Sequence, residues 1–150
     1  MNNKIKKIFQ VFFPLIVSGI VGFIIKDKID YLNLSKPPLS PPKVLFPIAW
    51  TIIYLLMGIS YYIINKEKIN KEIKIIYYVQ LFINALWSII FFYFKLRLLS
   101  CLWIVLLDLL VIIMIMLFYN KKRISSYLNI PYLIWIVFAT YLTMGIYILN

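Results

Sequence analysis

The sequence predicts an all-α membrane protein, a bundle of five transmembrane helices with a proline-rich lid loop between helices one and two. Three observations carry that reading. Hydrophobic residues make up 64% of the chain, against ~45–50% in a typical soluble domain. They fall into five runs, each close to the ~20 residues that a helix needs to cross a bilayer. The 16 basic residues, which set a net charge of +11, lie between those runs, where lysines flank membrane helices and meet anionic headgroups. Continuous hydrophobicity, rather than strand-like alternation, favours helices over a barrel. The length of 150 residues fits one domain, 1–150.

Span one is read as Ile8–Ile25. Lys4, Lys6 and Lys7 precede it, as they would a signal peptide. The run is long for a signal sequence and lacks a small-residue cleavage site, so a retained helix is expected. Pro14 lies inside it, and neighbouring helices can satisfy the carbonyl it frees. The longest loop, Lys26–Lys43, follows. Span two is read as Val44–Ile64, with Pro47 near its first turn, where proline costs little. "NKEKINKEIK" leads to span three, Ile75–Phe94. The short "KLRL" makes span three and span four, Leu98–Tyr119, antiparallel neighbours. Span five is read as Ile130–Leu149.

Five crossings put the termini on opposite sides. Lys4, Lys6, Lys7, Lys66, Lys68, Lys71, Lys74, Lys121, Lys122 and Arg123 fall on the N-terminal side, against Lys26, Lys28, Lys36, Lys43, Lys95 and Arg97 on the other. The positive-inside rule therefore predicts the N-terminus inside and the C-terminus outside. The Lys-, Ile- and Asn-rich composition points to a bacterial cytoplasmic membrane.

Composition also excludes chemistry. The chain has no histidine and one cysteine, Cys101, so an intramolecular disulfide and a Cys/His metal site are ruled out. Four of the five acidic residues lie outside the apolar runs, which leaves paired-carboxylate catalysis without its groups. No metal and no cofactor are expected. Basic stripes interleaved with stacking aromatics, the mark of nucleic-acid binding, are missing.

Pro37, Pro38, Pro41 and Pro42 stiffen "PPLSPP", because each ring fixes φ and biases the residue before it toward extended conformations. Such a segment is either a lid over a cavity in the bundle, with Leu39 between the proline pairs, or a rigid connector. Polar groups inside the spans are the next signal, since each must find a partner in the apolar layer. Asp108 is the one ionisable residue deep in a span, suited to interhelical hydrogen bonding or to ligand contact. Asn84, Trp87 and Ser88 share a face of span three; Trp50, Tyr54 and Met57 share one of span two; Trp135 and Ala139 share one of span five. Converging aromatics with a few polar handles suit a large, flat, apolar ligand.

The stretches "KPPLSPPKVLFPIAWTIIYLLMGIS", "QLFINALWSIIFF", "LLDLLVIIMIMLFY" and "PYLIWIVFATYL" resemble the TspO/translocator protein family, the tryptophan-rich sensory proteins, known in animals as the peripheral benzodiazepine receptor. They cover spans two to five in the family's order and spacing. The resemblance implies five transmembrane helices, a homodimer, and a loop after helix one that closes a ligand cavity. It implies binding of porphyrins such as protoporphyrin IX, in transport, scavenging or stress sensing, at positions matching Phe46, Trp50, Tyr54, Asn84, Trp87, Trp135 and Ala139. It also implies an alternative, light- and oxygen-dependent porphyrin breakdown with Trp50 and Trp135 as the reacting tryptophans. The chain departs from the family pattern at Leu39, where tryptophan is common, and at Thr143, Tyr147 and Ile148. A third possibility is an interaction subunit with a vestigial pocket.

Overall fold

In lipid, backbone N–H and C=O groups have no water to bond, so each apolar run must close its own hydrogen bonds as a helix. The computed structural model describes residues 2–150. Helix α1 spans Asn3–Ile25, α2 Leu45–Asn65, α3 Lys71–Ser88, α4 Arg97–Lys121, α5 Arg123–Tyr127 and α6 Ile130–Leu149. About 80% of the chain is helical, and the described residues contain no strand. The short α5 and the long α6 form one traverse. Five segments are thus long and apolar enough to cross a membrane, as the sequence predicts.

Local chemistry explains most of the helix ends. The Asn2 side chain accepts from the Lys4 N–H (3.2 Å) and caps α1. Pro47 and Pro131 sit in the first turns of α2 and α6, where a missing N–H leaves no bond unmade. Helix α3 runs on as a wider turn over Ile89–Tyr93, in which the Phe94 N–H reaches Ile89 O at 3.1 Å. The tight return to α4 needs a left-handed residue. Lys95 takes that role at φ 56°, without the usual glycine.

Two boundaries differ from the sequence reading. Helix α1 begins at Asn3 rather than Ile8 and α3 at Lys71 rather than Ile75, whereas α6 spans Ile130–Leu149 as read, preceded by the short α5 that hydropathy did not mark. Hydropathy marks the apolar middle of a helix. Lysine and arginine stems extend the coil into the headgroup layer while their charges stay wet.

The helices pack through small residues and a dry seam. A Cβ at Gly58 would overlap the Val11 carbonyl, so this glycine sets how closely α1 approaches α2. Met57, Ile64, Val111, Met114, Phe118 and Ile136 are fully buried between α2, α4 and α6. Outward faces carry exposed apolar side chains such as Ile20, Phe23, Ile134 and Ile148, which lipid solvates.

The loop after α1 lies at the same end as the C-terminus, as five traverses require. Asn150 Oδ1 accepts from the Ser35 N–H (3.0 Å), and Asn150 Nδ2 donates to Ser35 O (2.8 Å). The Tyr141 hydroxyl donates to Pro38 O at 2.6 Å. Pro37 is buried against Gly145, where an added Cβ would lie 2.5 Å from Pro37 Cγ. The proline segment is therefore strapped across the C-terminal end of α6. Leu39, at its tip, is 86% exposed and left-handed at φ 67°.

Candidate functional site

A cavity of about 600 Å³ opens between α1, α2, α3 and α6, near the end that carries the proline loop. Its size falls within the ~300–1,000 Å³ of small-molecule sites. Helical spacing builds its walls. Phe46, Trp50 and Tyr54 recur every four residues along α2, so all three face inward. Trp135 and Ala139 do the same on α6, and Ser18 and Gly22 on α1. A Cβ at Gly22 would meet nothing within 4 Å, so the missing side chain is open space.

The aromatic rings brace one another. Trp50 stacks on Tyr54 (centroids 5.2 Å apart, 21° between planes) and meets Trp135 edge-on at 6.3 Å and 89°. Phe46 meets Trp135 at 5.9 Å and Tyr31 at 5.0 Å, both edge-to-face. Trp87 stacks on Phe91 at 5.3 Å. Such pairs add ~0.5–1.5 kcal/mol each beyond the area they bury, so the walls are preorganised.

The polar groups form a chain beneath the aromatic surface. The Tyr54 hydroxyl, on the cavity wall, donates to Asn84 Oδ1 (2.7 Å). Asn84 Nδ2 donates to the Tyr132 hydroxyl (2.6 Å), which donates to Gln80 Oε1 (2.8 Å). Gln80 Nε2 ends the chain on Met57 Sδ (3.4 Å). Tyr54 spends its hydrogen on Asn84, which leaves its oxygen lone pairs as acceptors. Lys43 is the charged residue among those lining the cavity, and it sits exposed at the mouth.

Six of the eight sequence-derived ligand positions converge on this space: Phe46, Trp50, Tyr54, Trp87, Trp135 and Ala139. The other two do not line it. Asn84 is buried behind Tyr54, because both its polar atoms are committed to tyrosines. Asp108 faces the α4–α6 seam, where Thr140 Oγ1 lies 2.7 Å from its Oδ2. Pro37, Pro38, Leu39, Pro41 and Pro42 do not line the cavity either. The residues flanking them do: Ile29 and Tyr31 before the run, Lys43 and Val44 after it.

Tyr31 holds this end together. Its hydroxyl donates to Pro41 O at 2.7 Å, and its ring packs on Phe46. Burial pushes its phenol above the ordinary value, with a hydrogen bond to Ser40 acting the other way. Beside it, Asp30 accepts from Arg97 Nη2 (2.7 Å) and lies 3.7 Å from Lys95 Nζ. That ion pair ties the loop to the α3–α4 turn.

Sequence reasoning missed the α1 wall, Val17, Ser18, Val21 and Gly22, as well as the Asp30–Arg97 tie. The small residues Ser18 and Gly22 at i, i+4 were the available signal for the first. Nothing in the sequence joins residues 30 and 97. Trp103 donates its indole N–H to Ile83 O at 2.9 Å.

Fold and site together define an integral membrane protein of five helical traverses around an aromatic-walled cavity. Comparison with known proteins narrows this class. The TspO/MBR family pattern matches residues 10–149, and the chain belongs to that family. It is 39% identical over 122 residues to the tryptophan-rich protein TspO of Archaeoglobus fulgidus, covering 80% of this chain and 79% of that one. It is 32% identical over 148 residues to the protein CrtK of Rhodobacter capsulatus, covering 95% and 92%. It is 33% identical over 120 residues to the tryptophan-rich sensory protein of Cereibacter sphaeroides, covering 79% and 75%.

Proposed function

We propose that this membrane protein binds flat, apolar tetrapyrroles of the protoporphyrin IX type in its central cavity, for transport, scavenging or stress sensing. The observation that carries the reading is the cavity itself: about 600 Å³, walled by Phe46, Trp50, Trp87 and Trp135. Aromatic walls favour a planar apolar ring system, and burying that ring provides the driving force. Lys43 at the mouth suits the carboxylates of such a ligand. Tyr54 offers acceptors to its N–H groups. In this reading the protein sits in a bacterial cytoplasmic membrane, N-terminus inside, as a homodimer.

One contact favours a second reading. Trp50 and Trp135 meet at 6.3 Å in the cavity wall, where both indoles would lie against a bound porphyrin excited by light in the presence of oxygen. Tryptophan fluorescence titrated with protoporphyrin IX separates the readings, first in the dark and then under illumination, with Trp50→Phe and Trp135→Phe alongside. Saturable dark quenching with an unchanged porphyrin spectrum in light supports a binder. A light-driven spectral change that both variants lose supports the degrading enzyme. Quenching that never saturates would sink both readings and leave an interaction subunit with an empty pocket.

A further inference from the structure

We propose that the seam between α2 and α6 is a lateral portal gated by Trp135, through which an apolar ligand dissolved in the bilayer enters the cavity. The proposal rests on the binding function argued above and adds a route to it. A second, shallower apolar groove of about 520 Å³ lies along this seam. Ala49 and Ile52 of α2 line it with Ile134 and Phe138 of α6. Ile52 and Ile134 are exposed, so this groove faces the lipid. Trp135 is the one residue that lines both the groove and the cavity. A single indole therefore stands between the bilayer and the ligand site.

The bonds to be broken favour this route. The Trp135 indole N–H is buried and has no hydrogen-bond partner. Its neighbours are rings, Phe46 at 5.9 Å, Trp50 at 6.3 Å and Phe138 at 5.8 Å. Swinging it aside slides aromatic faces and breaks no hydrogen bond. Trp103 shows the contrast, because its N–H is pinned to Ile83 O. Side-chain hydrogen bonds between α2 and the last traverse lie beyond the groove, where Ser60 donates to Ser125 O (2.6 Å) and accepts from Asn129 Nδ2 (2.7 Å); among the described residues none is made by the side chains that line the groove. The proline end is tied far more firmly. Widening the mouth there for a large flat ligand means breaking Tyr141–Pro38, the paired Asn150–Ser35 bonds, Tyr31–Pro41 and the Asp30–Arg97 ion pair. An apolar ligand is also concentrated in the bilayer rather than in water.

Two measurements test the portal, and the first needs no ligand. A variant that keeps Trp135 alone (Trp50→Phe, Trp87→Phe and Trp103→Phe) is placed in phosphatidylcholine vesicles whose acyl chains carry bromine, a contact quencher. Trp135 emission is expected to be quenched, and Ala49→Phe, which fills the groove, to cut that quenching by about half. Unquenched Trp135 would overturn the proposal whatever the cavity binds.

The second uses the full chain in vesicles preloaded with protoporphyrin IX and follows rates by stopped flow. Ala49→Phe, and independently Ile134→Phe, should slow association and dissociation together by about tenfold, with the equilibrium affinity unchanged. Tyr141→Phe, which loosens the proline end, should leave both rates as they are. Unchanged rates in the groove variants, or faster exchange in Tyr141→Phe, would place entry at the proline end and refute the portal. If the wild type binds no porphyrin, the binding function fails, and the bromine measurement still decides the portal.

Discussion

Replacing Asn84 by alanine tests whether this residue meets ligand or holds the wall that does. In the structure it accepts from Tyr54 (2.7 Å), donates to Tyr132 (2.6 Å) and is only 1% exposed. Removing its amide strands one donor, the Tyr54 O–H. Tyr132 keeps its own donation to Gln80 and loses only an incoming bond. A stranded buried donor costs ~1–3 kcal/mol, and a lost hydrogen bond adds ~0.5–1.5 kcal/mol, with the lower values expected inside a membrane. Asn84→Ala should therefore destabilise the bundle by about 1.5–2.5 kcal/mol, read by circular dichroism during SDS titration. Tyr54→Phe removes the stranded donor, so adding it to Asn84→Ala should recover part of the loss. That non-additivity is the signature of a shared bond. Porphyrin affinity should fall by less than tenfold, through a loosened Tyr54. An unchanged SDS midpoint, with affinity falling a hundredfold or more, would place Asn84 on the ligand and refute the assignment.

Other positions give equally direct outcomes. Gly58→Ala should weaken α1 packing by ~1–3 kcal/mol or more, because the new methyl meets the Val11 backbone, which cannot step aside; protease nicking at the α1–α2 loop would report it. Tyr31 gives a pH dependence. Its folded-state phenol lies above the unfolded value, so its stabilisation is complete below pH ~10 and is lost as pH rises through the folded value. Alkaline titration should loosen the proline end, seen as faster amide exchange at Lys36 and Ser40, and Tyr31→Phe should show that loosening at every pH. Leu39→Gly should stabilise the turn by a few tenths to ~1 kcal/mol, since glycine accepts the left-handed φ without strain. A lower SDS midpoint for that variant would mean the exposed Leu39 side chain contributes a contact in the bilayer.

The architecture was legible because a bilayer leaves few solutions for apolar runs of this length, and the proline cluster and "KLRL" marked the breaks between them. The site was legible where one helix face repeats a residue type, as in Phe46, Trp50 and Tyr54, or Trp135 and Ala139. Periodicity fixes direction along one helix but not depth beneath a neighbour. Asn84 and Trp87 share a stripe on paper, yet Tyr54 covers the first and leaves the second at the cavity. The α1 wall escaped notice because Ser18 and Gly22 contribute by being small. Asp108 was recognised as needing a partner, and Thr140 supplies it; the sequence held no sign of which helix would. The proline run was read as a stiff lid or connector; the structure turns it at Leu39, and its docking on Gly145 and Tyr141 depends on contacts more than a hundred residues away in the chain.

Gly22→Leu tests most directly whether the cavity is the ligand site. An added Cβ meets nothing within 4 Å, so the larger side chain should grow into the empty space without disturbing the bundle, and glycine removal from a helix should even favour folding by ~0.5–1 kcal/mol. Protoporphyrin IX should quench the wild-type tryptophans saturably in the dark, and Gly22→Leu should abolish that saturation while its far-ultraviolet spectrum and SDS midpoint hold or rise. Equal, saturable quenching in both proteins would place the porphyrin outside this cavity and contradict the account.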